Sequence, residues 1–236
     1  MSAVSDTSNT GLPALISLLI EQQVLQFGEF TLKSGRSSPY FFNLGELCTG
    51  AALAQLAESY AQRIIDSDLR PTVLFGPAYK GIPLAVATAT AMAARGQDVG
   101  ITFNRKERKA HGEGGHLVGA ALAGERVLLL DDVLTAGTAM REAIEIVRGA
   151  GGDICGVLIA MDRQERGSGA ETAVAALAAE LKAPVLSLLN VTDVVRFLDG
   201  SVSESDSRLE TGALNQGNLK QRMEAYQAQY CVAYES

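Results

Sequence analysis

The run Val127-Leu128-Leu129-Leu130-Asp131-Asp132-Val133-Leu134-Thr135-Ala136-Gly137-Thr138-Ala139-Met140-Arg141 constrains this chain more than any other stretch. Consecutive large apolar residues read as a strand buried on both faces of a parallel sheet. Asp131 and Asp132 then fall at its carboxyl end, where open α/β sheets bind ligands. Thr135, Ala136, Gly137 and Thr138 have small side chains, so a ligand can approach their backbone N–H groups. Those groups open the next helix, and their dipoles favour an anion. A phosphate held by the loop and a polyol held by the acids is the simplest ligand for this order of residues. An acidic pair after a strand can also be a solvated loop, and Thr-Ala-Gly-Thr can be a plain helix cap. Both halves in one turn favour the ligand. The chain has no Gly-x-x-x-x-Gly-Lys-[Ser/Thr] and no Gly-x-Gly-x-x-Gly opening a helix, so neither common nucleotide signature explains the turn.

Around this turn, strands and helices alternate. Residues 1–11 are polar and small and read as a disordered tail. Leu15, Leu18, Leu19, Gln22 and Leu25 recur at helical spacing, predicting a helix over 13–27 with Pro13 in its first turn. Phe30–Lys33 and Tyr40–Asn43 read as short strands joined by a turn at Ser34–Pro39. Further helices are predicted over 50–66, 81–94, 138–149, 170–182, 191–198 and 218–230. Strands are predicted at Thr72–Gly76, Val99–Phe103, Val127–Leu130, Ile154–Met161 and Pro184–Leu189. Alternation from about residue 70 onward implies an α/β fold: a central parallel sheet with helices on both faces. A small N-terminal hood of helix and short strands, residues 12–48, precedes the core at 49–199. Residues 200–217, rich in Ser, Gly and Asp, read as an exposed loop before the terminal helix, in a last segment 200–236.

Charge and cysteine content narrow the function. The 236 residues are 47% hydrophobic and 20% charged, enough apolar content for one sizeable core. A net charge of −7 argues against a nucleic-acid partner. Cys48, Cys155 and Cys231 have no paired spacing, which suggests a reducing compartment. The start carries no secretory signal pattern, and the apolar-rich stretch Ile82–Ala94 is shorter than a membrane span. These features predict a cytoplasmic protein with no membrane partner.

Four further segments carry chemistry. Gly76-Pro77-Ala78-Tyr79-Lys80-Gly81 lies between a strand and a helix, so Lys80 would point a compact positive charge at the same ligand; it can also be a solvated loop lysine. Residues 104–111 hold Arg105, Lys106, Arg108, Lys109 and one acid, a net +3 with His111 neutral, leaving −10 on the rest of the −7 chain. Such a segment draws in a polyanionic substrate. Gly112, Gly114 and Gly115 make 104–116 pliable, as a closing lid requires, although a charge run can also be plain solvated surface. His111 can serve as proton donor, diphosphate ligand or exposed loop residue; His116 reads as structural. In Asp162-Arg163-Gln164-Glu165-Arg166-Gly167, Arg163 offers a planar fork for a carboxylate, or an ion pair with Asp162 or Glu165. Lys33–Asn43 adds aromatics suited to covering a planar ring.

The Val127–Arg141 run resembles the phosphoribosyl-diphosphate (PRPP) signature of type I phosphoribosyltransferases. Together with Phe30–Phe42, Phe75–Pro83, Phe103–Gly115 and Met161–Gly167 it is similar to the orotate phosphoribosyltransferase family, over about residues 15–198. The resemblance implies Mg2+-dependent transfer of the phosphoribosyl group from PRPP to orotate, in de novo pyrimidine synthesis. It implies that Asp131 and Asp132 hold the ribose hydroxyls and Val133, Leu134, Thr135, Ala136, Gly137, Thr138 and Ala139 the 5′-phosphate. Tyr79, Lys80, Arg105, Lys106, Lys109 and His111 would hold diphosphate, with Lys109 assisting its departure. Phe41, Phe42, Thr135 and Arg163 would hold orotate, and Lys33 would lie between base and PRPP. No residue is implied as a direct metal ligand; Mg2+ would be held through PRPP and water near the two acids. The Ala78–Tyr79 peptide would be cis, the hood would contribute to the base pocket, and the protein would be a homodimer whose basic loop reaches the neighbouring site. Two alternatives remain open. A purine acceptor would leave Arg163 and Lys33 without a role, and a regulator that binds PRPP without turnover would not need the full basic segment.

Overall fold

A computed structural model describes residues 11–32, 35–106, 116–134, 137–167, 169–200 and 216–232. The chain opens with α1 (Leu12–Glu21), β1 (Leu25–Thr31), β2 (Ser37–Phe42), a short 3-10 turn (Leu44–Glu46) and α2 (Gly50–Asp66). Next come β3 (Val73–Gly76), α3 (Gly81–Ala94), β4 (Gly100–Asn104), β5 (Leu117–Gly119) and β6 (Arg126–Val133). The rest is α4 (Thr138–Gly149), β7 (Asp153–Asp162), α5 (Ala173–Leu181), β8 (Val185–Asn190), α6 (Val191–Gly200) and α7 (Gln216–Tyr230).

The central sheet has the order β5-β4-β3-β6-β7-β8. β3, β4, β6, β7 and β8 run parallel, and β5 pairs antiparallel to β4. β6 explains the architecture by itself. Leu128 and Leu130 enter one hydrophobic cluster, with residues of α2, α3 and α6. Val127 and Leu129 enter the other, with residues of α4 and α5. Alternate side chains of a strand point to opposite faces, so an unbroken apolar run needs a helical layer on each side. The first cluster also takes in Leu15, Ile16 and Leu19 of α1, Tyr40 and Phe42 of β2, and Leu219, Met223 and Tyr226 of α7. The N-terminal hood and the C-terminal helix therefore share one core with the sheet.

Boundaries differ from the periodicity where local turns intervene. The helix predicted over 13–27 ends at Glu21, because Gln23 adopts a left-handed φ of 55° and turns the chain. Leu25 then starts β1 and pairs with Phe42. α5 begins at Ala173 rather than 170, where the Thr172 hydroxyl accepts a hydrogen bond from the Ala175 N–H at 3.0 Å. β5 was not anticipated, since a three-residue strand is too short to show a period. It makes the sheet mixed and places the basic segment between two neighbouring antiparallel strands. Among the described residues, no helix is long and apolar enough to cross a membrane. The three cysteines are unpaired.

Met223 is fully buried on α7 within the hood-and-sheet cluster. Met223→Ala should lower unfolding stability by roughly 2–5 kcal/mol. Urea unfolding followed by circular dichroism should stay a single transition. An early, separate loss of helix would show that α7 is not part of the common core.

Candidate active site

The strand order places the site. β3 and β6 are neighbours, yet β3 leads through α3 outward to β4, while β6 leads through α4 outward to β7. Right-handed crossovers in opposite directions send the two helices to opposite faces. The carboxyl ends of β3 and β6 therefore flank an open crevice, the usual ligand position in such sheets. The Gly76–Gly81 turn forms one wall, and Asp131–Leu134 with Gly137 and Thr138 form the other.

The first wall depends on close backbone approach. A Cβ on Gly76 would lie 2.1 Å from the Gly81 carbonyl oxygen, so only glycine lets the strand meet the helix start this tightly. The Ala78–Tyr79 peptide is cis. The Ala78 N–H donates to Asn104 Oδ1 at 2.9 Å, tying the turn to the end of β4. Tyr79 is 66% exposed, and Lys106 Nζ sits 4.9 Å above its ring. Below, the Arg105 N–H donates to the His116 carbonyl at 2.8 Å, closing the base of the basic segment.

The second wall carries the acids. Lys80 Nζ reaches across the crevice to Asp132 Oδ2 at 2.8 Å. Asp132 Oδ1 accepts the Val133 N–H at 2.8 Å, and Asp131 Oδ1 accepts the Asp132 N–H at 2.9 Å. From α2, the buried Tyr60 hydroxyl donates to the Asp131 carbonyl at 2.7 Å. Burial, and then the neighbouring Asp132 charge, push the Asp131 carboxyl from its ordinary 3.8 to about 6; its backbone hydrogen bond and Lys80 offset part of this. Gly137 takes φ +73° at the start of α4, and its carbonyl accepts the Arg141 N–H at 2.9 Å.

Arg163 follows β7 on the far side of β6. Its Nε and Nη2 both reach Glu165 Oε1, at 2.7 and 2.6 Å, and its guanidinium lies 4.5 Å from the Tyr40 ring centroid. Of the two ion-pair partners considered, Glu165 is the one engaged; Asp162 Oδ1 instead accepts the Gln164 N–H at 2.8 Å. Phe41 and Phe42 are successive strand residues and face opposite ways. Phe42 is buried in the core, whereas Phe41 is 37% exposed and stacks on Phe30 at 5.5 Å. One planar ring cannot touch both side chains from one side.

The structure thus brings Lys80, Asp131, Asp132, Val133 and Leu134 to the crevice, with Gly137, Thr138 and Ala139 opening α4. Tyr79, Arg105 and Lys106 stand at the neighbouring strand ends. Lys33, Lys109, His111, Thr135 and Ala136 lie outside the described residues. Sequence reasoning named Tyr40 only among the aromatics of Lys33–Asn43 and Asn104 only as the first residue of the basic segment. It missed Tyr60 and Tyr226, which act from other elements and gave no local signal.

A phosphoribosyl transferase domain model matches residues 43–195. The orotate phosphoribosyltransferase of Pseudomonas putida (strain W619) is 51% identical over 221 residues, covering 92% of this chain and 96% of that protein. The Xanthomonas euvesicatoria enzyme of the same name is 54% identical over 188 residues, covering 79% of this chain and 86% of its own. The crystal structure of the Francisella tularensis orotate phosphoribosyltransferase superposes with a TM-score of 0.79 at 38% identity, covering 93% of this chain and all (100%) of that one.

In ligand-free protein, the Asp131 carboxyl followed by 13C NMR should titrate near pH 6. Asp132→Asn should bring that value down and Lys80→Met should push it up, since one removes a repelling and the other an attracting charge. The folded value lies above the ordinary 3.8, so this group's stability contribution is whole below 3.8 and lost as pH rises through about 6. Titration at the ordinary value would mean that the pair is solvated rather than held in the crevice.

Proposed function

This chain belongs to the orotate phosphoribosyltransferase family, and from that premise we propose that it transfers the 5-phosphoribosyl group of PRPP to orotate. The products are orotidine 5′-monophosphate and diphosphate, formed in the cytoplasm for pyrimidine synthesis. The observation that carries this reading is the acid pair at the mouth of β6 facing Lys80 across the crevice, Nζ to Oδ2 2.8 Å. In the ligand-free protein Lys80 and Asp132 neutralise each other. Ribose hydroxyls supply new donors to Asp131 and Asp132, and release the lysine charge for the diphosphate. The start of α4, with Val133, Leu134, Thr135, Ala136, Gly137, Thr138 and Ala139, takes the 5′-phosphate. Tyr79, Lys80, Arg105, Lys106, Lys109 and His111 take the diphosphate. Phe41, on the exposed side of β2, takes orotate with Thr135 and Arg163, while Phe42 backs the pocket from the core, and Lys33 lies between the substrates.

Bond breaking at ribose C1 leaves positive charge on the sugar and gathers negative charge on the diphosphate. Catalysis is then mainly electrostatic and positional. Among the described residues, no three His, Cys, Asp or Glu side chains cluster to hold a metal. Asp131 and Asp132 would hold Mg2+ through PRPP and water, and the ion would supply positive charge where the leaving group needs it. The basic segment serves the neighbouring site of a homodimer, where Lys109 assists diphosphate departure.

The direct test is the fall of orotate absorbance on adding PRPP and Mg2+. No change with orotate but turnover of a purine would move the acceptor to the other base class. Binding of PRPP with neither turnover would leave a regulator. Arg163→Ala should raise the orotate KM far more than the PRPP KM, a loss of roughly 1.5–3 kcal/mol for a charge-assisted contact. Equal effects on both substrates would remove Arg163 from the base pocket.

The shared site has its own check. Lys109→Ala and the double variant Asp131→Asn, Asp132→Asn should each be nearly inactive alone. Unfolded and refolded together, they should regain activity, because a mixed dimer joins an intact crevice to an intact partner loop. No recovery after verified subunit exchange would place the loop in its own subunit's site.

A further inference from the structure

Arg163 is held by more groups than an ion pair needs. Glu165 Oε1 grips the Nε side of its guanidinium, at 2.7 Å, and Nη2, at 2.6 Å. The same oxygen accepts the Tyr226 hydroxyl at 2.6 Å, and Tyr226 comes from α7, 63 residues further along the chain. Glu165 Oε2 faces Arg36 Nη1 at 3.4 Å. The Tyr40 ring supports one face of the guanidinium and meets the Tyr226 ring edge-on at 5.8 Å. Arg163 Nη1 has no partner among the described residues.

The backbone beneath is pinned by the same C-terminal segment. The Val232 N–H donates to the Gln164 carbonyl and the Arg166 N–H to the Tyr230 carbonyl, both at 2.9 Å, on either side of Glu165. Gln164, buried at a φ of 54°, takes the Thr192 N–H and hydroxyl on its side-chain oxygen, at 3.1 and 2.8 Å. Gln227 of α7 donates to that Thr192 hydroxyl at 2.6 Å.

We propose that Glu165 and Tyr226 are positioning residues for Arg163: they hold its Nε–Nη2 side so that the Nη1 end is turned to the carboxylate of the acceptor base. The proposal rests on the reading of Arg163 as the ligand of that carboxylate. An arginine offers two separate edges for planar hydrogen bonding, and occupying one of them fixes the direction of the other. Charge supports the arrangement. Arg163, Arg36 and Glu165 together carry a net +1, which one acceptor carboxylate balances. Burial and the Glu165 contact push the Tyr226 hydroxyl up to about 12, so it stays protonated and donates. The C-terminal helix thereby becomes part of the specificity for an acidic base, although it lies outside the strand-end turns that carry the other site residues.

Tyr226→Phe removes one hydroxyl and leaves the ring in place. It should raise the orotate KM about 3- to 10-fold, the loss of one hydrogen bond to a charged network, with the PRPP KM within about two-fold of its starting value. In an Arg163→Ala background the same substitution should have no further effect on the orotate KM, because both act through one group. Glu165→Gln should also raise the orotate KM selectively. If Glu165 merely competes with the substrate for Arg163, Glu165→Gln will lower the orotate KM instead, and the proposal is wrong. It is equally overturned if Tyr226→Phe leaves the orotate KM unchanged, or shifts both KM values alike, while Arg163→Ala alone raises the orotate KM. If Arg163→Ala itself shows no preference for orotate, the failure lies in the base-pocket reading beneath it.

Discussion

The pairing of β3 with β6 is the constraint on which the rest of the molecule depends. Val73, Leu74 and Phe75 lie against Val127, Leu128 and Leu129 in parallel register. Both strands are buried on both faces, so their register cannot slip without exposing a full row of apolar side chains. Their helices leave in opposite directions, and the crevice between the strand ends follows from that divergence. Lys80 and Asp132 meet because this register brings the turn after β3 and the end of β6 to one point, although the two residues are 52 positions apart in sequence.

The charges follow the same economy. Asp131 and Asp132 are adjacent, and the strand end removes part of their water. One is relieved by Lys80, and burial beside it pushes the other's carboxyl up to about 6. This is a costly arrangement for a fold and a useful one for binding hydroxyl donors and a polyanion. On the other side of β6, Arg163 is paired with Glu165 and flanked by Arg36, Tyr40 and Tyr226. Both regions keep ionic groups at the carboxyl end of the sheet and satisfy them locally until a substrate arrives.

Much of the site was legible because it is built from local turns. Apolar runs followed by Gly76–Gly81, Asp131–Thr138 or Asp162–Gly167 mark strand ends by composition alone. The helix limits at 50–66 were legible because the apolar residues there recur on one face. The short strand β5 was not, and neither was the turn at Gln23, whose left-handed backbone carries no glycine to announce it. Phe41 and Phe42 read as a pair in sequence and part company in the structure, because the strand pleat turns them to opposite sides.

By itself, then, the amino-acid order determined the doubly covered sheet, the acid pair at a strand end and the family whose motifs these are. Hydrophobic periodicity and turn chemistry are short-range, and each of those features fits within about fifteen residues. Tertiary structure alone decided that Lys80 faces Asp132, that Tyr60 caps the Asp131 carbonyl and that Tyr226 holds Glu165 beside Arg163. Each of these contacts joins residues more than fifty positions apart, and a single directed hydrogen bond between distant elements leaves no periodic trace in the chain. It exists only once the buried faces of the sheet, the hood and α7 have packed against one another.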